Sequence, residues 1–388
     1  MNILFLTTIL PGGQRMGSEV ASQAIINALN ESGHQLSITG FVRKNEIYKT
    51  SAGEIPSGAR DIETRQAGLN KYIWLVKSLL TKTPYSIVKF QSAAYARLVS
   101  RLVKETHFDL AIIDHVQMNW IIDILPPDMP LIGVTHNVEQ KMYGSFAKAG
   151  DKSLRSRLFS RESRLLAEVE KRYLERLQHL WVFTEDDAAY YRSIKEAAVS
   201  IVTLPATSVN ASASSHKEFD IGLVGSWSWE ANEEGLRWFI DDVYPHLSED
   251  LNIHIAGSGA EWLNNNYENI SYLGFVDDVQ EFLRKARVVA IPTLSGGGIQ
   301  IKTLDAIASG SSIVATSLAS RGIDDAPETI NTANTPEKFA NELSKAVHNT
   351  QNPATTLAAM NWALERKTRL TSELEHCITT LLARTYLS

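Results

Sequence analysis

Short apolar runs alternate with longer amphipathic segments twice along this 388-residue chain, and one polar stretch separates the two series. Ile3 to Thr7 reads as a buried strand. A Pro-Gly-Gly loop follows at Pro11, and Val20, Ile25 and Leu29 mark the apolar side of a helix from about Ser18. Runs at 35–40, 110–113, 131–134 and 180–183 read as further strands, with helices between them. Such alternation calls for a mostly parallel sheet covered on both faces. From Ala206 to Lys217 small polar residues succeed one another without periodicity, the mark of a linker. Alternation then restarts, with strands expected at 221–224, 253–256, 270–273, 288–291 and 312–315.

A chain of this length exceeds one ordinary α/β core. The expectation is an α/β protein of two Rossmann-like domains facing each other across a cleft. Their bounds are 1–204, a linker at 205–217, and 218–352, followed by a helical segment at 353–388. In that segment Leu370, Leu374, Ile378, Leu381 and Leu382 form one apolar face suited to packing back on the first domain.

The net charge of −6 disfavours nucleic-acid binding, which needs a basic face to displace counterions. The single cysteine, Cys377, allows neither an internal disulfide nor a thiolate cluster and suits a reducing compartment. No basic segment precedes the first apolar run, and no run is long enough to span a bilayer. A cytoplasmic location is expected, with peripheral contact at the inner face of a membrane left open. The segment from Lys152 to Leu177 is dense in Arg and Glu; it reads as a surface helix with a solvated face, membrane docking being the alternative.

The most informative stretch runs from Pro292 to Gly310. A strand ends, Gly296, Gly297 and Gly298 follow, and a helix is expected from about Ile299. Consecutive glycines allow backbone N–H groups to turn inward, and the helix N-terminus adds partial positive charge. Together these suit a diphosphate. Lys302 falls in the first helical turn and can add a full charge, and Asp305 can accept from ribose hydroxyls. A flexible loop before an ordinary helix is the bland alternative.

Taken in order, Gly274-Phe-Val-Asp-Asp278, the strand ending at Pro292, Gly296-Gly-Gly-Ile-Gln-Ile-Lys302-Thr-Leu-Asp305-Ala306 and Ile313-Val-Ala-Thr316 resemble the donor half of retaining GT-B glycosyltransferases of family GT4. The branch with a Gly-x-Gly-x-x-x-Lys-x-Leu-Glu-Ala signature is the most similar. The turn Val224-Gly225-Ser226 and the helix start near Asn232 agree with it, as do His136-Asn-Val-Glu139 and Pro11-Gly12-Gly13 in the first half. There are departures. The family's Glu-x7-Glu pair reads Gly297 and Asp305 here, and Trp227-Ser-Trp229 stands where many members place basic residues against the diphosphate. Lys302 and Arg321 remain to balance the leaving-group charge. One of the two tryptophans reads as core, and sugar stacking stays open for the other.

The resemblance implies retaining, metal-independent transfer of a sugar from a nucleoside diphosphate sugar to an acceptor hydroxyl on a glycan, a lipid-linked glycan or a protein. No cofactor is expected beyond the nucleotide sugar as co-substrate. It implies His136 and Lys302 as catalytic residues. Gly225, Ser226, Phe275, Gly296, Gly297, Gly298, Ile299 and Asp305 would bind the donor. Gly12, Gly13, Asp114 and His115 would meet the acceptor, with Glu19 and Arg15 as weaker candidates. For His136 the alternative is a cap on the helix after it, and for Asp114 a role in starting the next segment. A sugar-nucleotide epimerase and a non-catalytic binding subunit are the competing functions; a nicotinamide oxidoreductase is disfavoured, since no G-x-G-x-x-G follows the first strand.

Overall fold

The computed structural model describes residues 1–388 except 14–15, 45–46, 62–66, 148–152, 196–198, 209–215, 324, 350–351 and 386–388. Arg15 and most of the expected linker therefore lie outside the described residues. The chain forms two compact units: the first reaches Val202 and resumes at Leu370, and the second holds Thr203–Arg369.

The first unit strings together β1 (Asn2–Ile9), α1 (Gly17–Glu31), β2 (Gln35–Arg43), β3 (Glu54–Arg60), α2 (Asn70–Thr81), α3 (Tyr85–Val88), α4 (Ala93–Glu105), β4 (Leu110–Asp114), β5 (Leu131–Val134), α5 (Glu139–Phe146), α6 (Leu154–Arg176), β6 (His179–Val182), α7 (Glu185–Ile194) and β7 (Val199–Ile201). Its seven strands pair in the order β3-β2-β1-β4-β5-β6-β7 and all run parallel. β1 is buried along almost its whole length, as a central parallel strand covered on both faces must be. Thr184 caps α7 by accepting from the Asp187 amide.

The second unit holds β8 (Phe219–Val224), α8 (Glu230–Trp238), β9 (Ile253–Ala256), β10 (Ile270–Gly274), α9 (Val279–Lys285), β11 (Ala286–Ile291), α10 (Ile301–Ala308), β12 (Ser312–Ala315), β13 (Ile330–Thr332) and α11 (Pro336–His348). Its parallel sheet runs β10-β9-β8-β11-β12-β13. Thr335 caps α11, with Pro336 at its first position.

The last helix, α12 (Pro353–Thr385), counts with the second unit up to Arg369 and with the first from Leu370. Its early part is held by Arg366, which is buried, donates to the Leu204 carbonyl at 2.9 Å and pairs with Asp325 at 2.8 Å. Farther on, Leu370, Leu374, Cys377, Ile378 and Leu381 are buried, and Glu375 meets His34 at 2.6 Å. The helical segment expected from 353 is thus shared between the units. The expected linker also differs in part: Thr207 is fixed, its amide and hydroxyl both donating to Asp305.

Three strands have no counterpart in the sequence reading. β3 contains Pro56 and Gly58, which read as loop yet are tolerated on the edge strand it forms. β7 and β13 are three-residue edge strands, too short for any periodicity.

Candidate functional site

In each sheet the strand order reverses once, between β1 and β4 in the first unit and between β8 and β11 in the second. Open parallel sheets bind ligands outside the carboxyl ends of the strands at such a reversal.

In the second unit glycines gather at that place. Gly225 follows β8 and Gly257 follows β9, and a Cβ on Gly257 would lie 1.8 Å from the Gly225 carbonyl oxygen. The two turns therefore cross in contact, which only glycine permits at a φ of +109°. After β11 comes the triplet. Gly296 and Gly298 have φ of 108° and 66°. Arg321 explains their set: its Nη2 donates to the carbonyls of Gly296 and Gly298, each at 3.0 Å. With the carbonyls drawn to the guanidinium, the amides of Gly297, Gly298 and Ile299 have no acceptor among the described residues. A run of amides freed in this way is an anion-binding concavity. Arg321, expected to balance leaving-group charge, instead shapes this loop.

α10 begins at Ile301, two residues later than expected, and no side chain caps it. Lys302, in its first turn, donates to Asn232 Oδ1 at 2.9 Å, and Asn232 Nδ2 donates to the Ser226 carbonyl at 3.0 Å. Asn232 thus ties the Gly225-Ser226 turn to Lys302. Among the described residues no carboxylate pairs with Lys302, and burial pulls its pKa down to about 8. A half-buried ammonium of this kind, beside free amides and a helix N-terminus, lacks only an anion.

Other residues of the unit fall less simply. Asp305 is buried, and its Oδ1 accepts from the Thr207 amide at 2.7 Å and hydroxyl at 2.8 Å. Burial lifts its pKa to about 6 despite those bonds and one from Gln280. It anchors the segment entering the unit, which corrects its expected place as an open acceptor for ribose. Phe275 stands 70% exposed after the end of β10. Trp227 is core, its indole donating to Ala256, whereas Trp229 is exposed.

In the first unit the reversal point lies between the turn after β1 and the end of β4. The turn Pro11–Gly13 exposes both glycines, with the Gly12 amide donating to Tyr48 Oη at 3.2 Å. Glu19, beside Gly13, is buried against Arg43 in a two-pronged ion pair. Asp114, the last residue of β4, is fully buried. Its Oδ1 meets His136 Nε2 at 2.8 Å, and its Oδ2 accepts from the Thr7 and Ser22 hydroxyls, each at 2.7 Å. Burial pushes its pKa up, but the neighbouring His115 and His136 outweigh that and hold it well below the usual carboxylate range. With both oxygens engaged it has no face for an acceptor. It is a positioning residue for His136, and this corrects the contact expected of it.

His136 follows β5, stacks on His115 with ring centroids 4.1 Å apart, and meets the edge of Phe183. It caps nothing: α5 starts after Val138, and the Glu139 amide donates to Glu170 on α6 at 2.8 Å. His115 has a φ of 73°, a conformation that costs about 1–3 kcal/mol for a non-glycine residue. Burial pushes its pKa down to about 4, against the pull of Asp114. The ligand atoms of Asp114, His115 and His136 lie within 4.8 Å of one another, as a metal site would require. The carboxylate is instead spent on His136, Thr7 and Ser22, so the group is a hydrogen-bonded Asp–His pair with a second imidazole stacked on it.

Sequence reasoning missed Thr7, Ser22 and Glu170. For Glu170 a signal existed: it shares the helical phase of Leu166, Val169, Tyr173 and Leu174, so a carboxylate was placed in an apolar stripe. Thr7 and Ser22 carry no such mark.

Residues 218–349 match the family described as Glycosyl transferases group 1. The match spans most of the second unit. Over the whole chain the fold is GT-B. Sucrose-phosphate synthase from Thermosynechococcus elongatus is similar at a TM-score of 0.66 and 14% identity, covering 99% of this chain and 100% of that one. Anabaena HepE, solved with UDP and glucose, is similar at 0.63 and 13%, covering 98% and 100%. WaaG, a glycosyltransferase involved in lipopolysaccharide biosynthesis, is similar at 0.57 and 16%, covering 95% of each chain. No curated protein sequence matches the chain. No helix among the described residues is long and apolar enough to cross a membrane.

Proposed function

We propose that the protein transfers a sugar from a nucleoside diphosphate sugar to an acceptor hydroxyl, with the donor held by the group 1 glycosyl transferase domain. One observation carries the reading: the amides of Gly297, Gly298 and Ile299, which have no acceptor among the described residues, and the Lys302 ammonium, bonded to Asn232 with no carboxylate among them, gather at the sheet's reversal point. Fixed dipoles and a charge aimed at a departing diphosphate stabilise what grows in the transition state. HepE was solved with UDP-glucose, which supports the same donor class for this chain.

In this reading the anomeric C–O bond to the diphosphate breaks as the acceptor oxygen bonds to the same carbon. Its arrival on the face the diphosphate leaves gives retention. The acceptor proton passes to the departing phosphate oxygen, so no metal is required by the balance of the step. His136, oriented by Asp114, lines the site on the side of the sugar and acceptor, with Gly12, Gly13 and His115 around the acceptor. The acceptor is a glycan, a lipid-linked glycan or a protein.

Gly297 in place of the family's first acid favours one rival, a binding subunit that keeps the nucleotide site without transfer. A thermal-shift panel of UDP, GDP, ADP and dTDP, followed by sugar release from the stabilising nucleotide's sugars, separates the two. Stabilisation with transfer supports the proposal, binding without transfer supports the rival, and stabilisation by none of them removes both.

A further inference from the structure

α2 is amphipathic in an unusual sense, because its outward face is the more apolar one. Trp74 and Ser78 are its buried residues; Trp74 packs edge-on against Tyr85 in a small satellite core. On the other side Leu69, Tyr72, Ile73, Val76, Leu79 and Leu80 are exposed, Leu69 at 79% and Leu80 at 80%. At 3.6 residues per turn those six positions fall within an arc of roughly 120° opposite Trp74 and Ser78, with Lys77 on one flank. Contiguous apolar surface of this kind marks a docking site.

Charge narrows the occupant. Neither α2 nor its flanking Leu69 and Lys82 includes an acid. Arg161 of α6 donates to the Ser78 carbonyl at 2.7 Å and hydroxyl at 3.0 Å, bringing the start of α6 beside α2. There Arg155, Arg157 and Arg164 are exposed, and the one acid of 153–164, Glu162, is buried and turned to Tyr85 and Ser86. Lys77 and Lys82 are exposed as well. A chain of net charge −6 therefore concentrates cations around this exposed apolar helix face. The core of a protein–protein interface is depleted in charge, whereas an interfacial helix pairs an apolar face with lysine and arginine at anionic headgroups.

We propose that the outer face of α2, with the basic start of α6, docks on an anionic lipid surface. The apolar side chains enter the headgroup boundary while the cations meet lipid phosphates. Docking here places the first unit against a bilayer and favours a lipid-linked acceptor over a soluble one. α2 and α6 belong to the first unit and share no residue with the nucleotide site of the second, so the two proposals stand or fall separately.

The test is co-sedimentation of the full chain with vesicles of phosphatidylcholine alone and of phosphatidylcholine with phosphatidylglycerol. Binding is expected to the anionic vesicles, weaker on neutral ones and relieved by high salt. The Ile73→Glu/Leu80→Glu double variant should lose at least about tenfold in partitioning, and Lys77→Gln and Arg157→Gln several-fold each. These side chains are exposed, so the melting temperature and nucleotide affinity should stay those of the unaltered chain. Absence of vesicle binding, binding indifferent to these substitutions, or a dimer they abolish without any vesicle binding would each overturn the proposal.

Discussion

Replacing Lys302 with methionine should stabilise the unliganded protein and weaken its hold on nucleotide. The methionine keeps the apolar stem and removes the charge. Burial lowers the Lys302 pKa from 10.5 to about 8. Below pH 8 the group is charged in both states, so its burial costs the folded form, and the cost is relieved only as pH rises through the folded and then the unfolded value. At about 1.4 kcal/mol per unit the shift corresponds to roughly 3 kcal/mol, cut to about 1–2 by the part of the side chain that reaches solvent. Loss of the bond to Asn232 takes back about 0.5–1 kcal/mol, leaving a net gain near 1. In a domain of this size that raises the melting temperature by about 2–4 °C. Nucleotide binding changes in the opposite sense. A lost charged hydrogen bond of about 1.5–3 kcal/mol weakens the dissociation constant about 10- to 150-fold. Differential scanning calorimetry of both proteins, with and without the nucleotide that stabilises the unaltered chain, reads both effects. A variant that melts lower and binds as before would refute the assignment of Lys302 to an anion.

Three further outcomes follow from the same geometry. Because the Lys302 pKa of about 8 should rise when a diphosphate arrives, binding at about pH 8–9 should take up a proton, seen as a buffer-dependent enthalpy in titration calorimetry; no buffer dependence would contradict it. His136→Ala and Asp114→Asn should each lower turnover at least about tenfold while leaving nucleotide affinity within about twofold, and unchanged turnover in both would remove the pair from the chemistry. Burial raises the Glu139 pKa to about 8 and that of Glu170 to about 7, so their protonated forms favour folding. That contribution is complete below about pH 4.5 and is lost as pH rises to about 8, so Glu139→Gln should flatten the decline by up to about 5 kcal/mol, and an unchanged pH profile of thermal unfolding would contradict the reading.

The central strands and most helices were legible because parallel strands buried on both faces must be continuous apolar runs, as Ile3 to Leu6 and Val288 to Ile291 are. Edge strands escape that rule, and β3 carries Pro56 and Gly58 for that reason. Glycines were legible where the backbone needs them, since Gly296 and Gly298 adopt positive φ. What the glycine carbonyls point to was not, because Arg321 lies on another element and its contact is made only by folding. The same holds for Asp114, which gathers Thr7 from β1, Ser22 from α1 and His136 from the loop after β5. Spacing along the chain carries no trace of such convergence. The Asp305 expectation failed for a related reason: the stretch that opens the second unit brings Thr207 onto the carboxylate, a contact made only by folding.

A crystal structure with whichever of UDP, GDP, ADP or dTDP raises the melting temperature tests the central claim most directly. The account predicts pyrophosphate oxygens within hydrogen-bonding distance of the Gly297, Gly298 and Ile299 amides and of Lys302 Nζ. A nucleotide bound elsewhere, with those amides left without an acceptor, would contradict it.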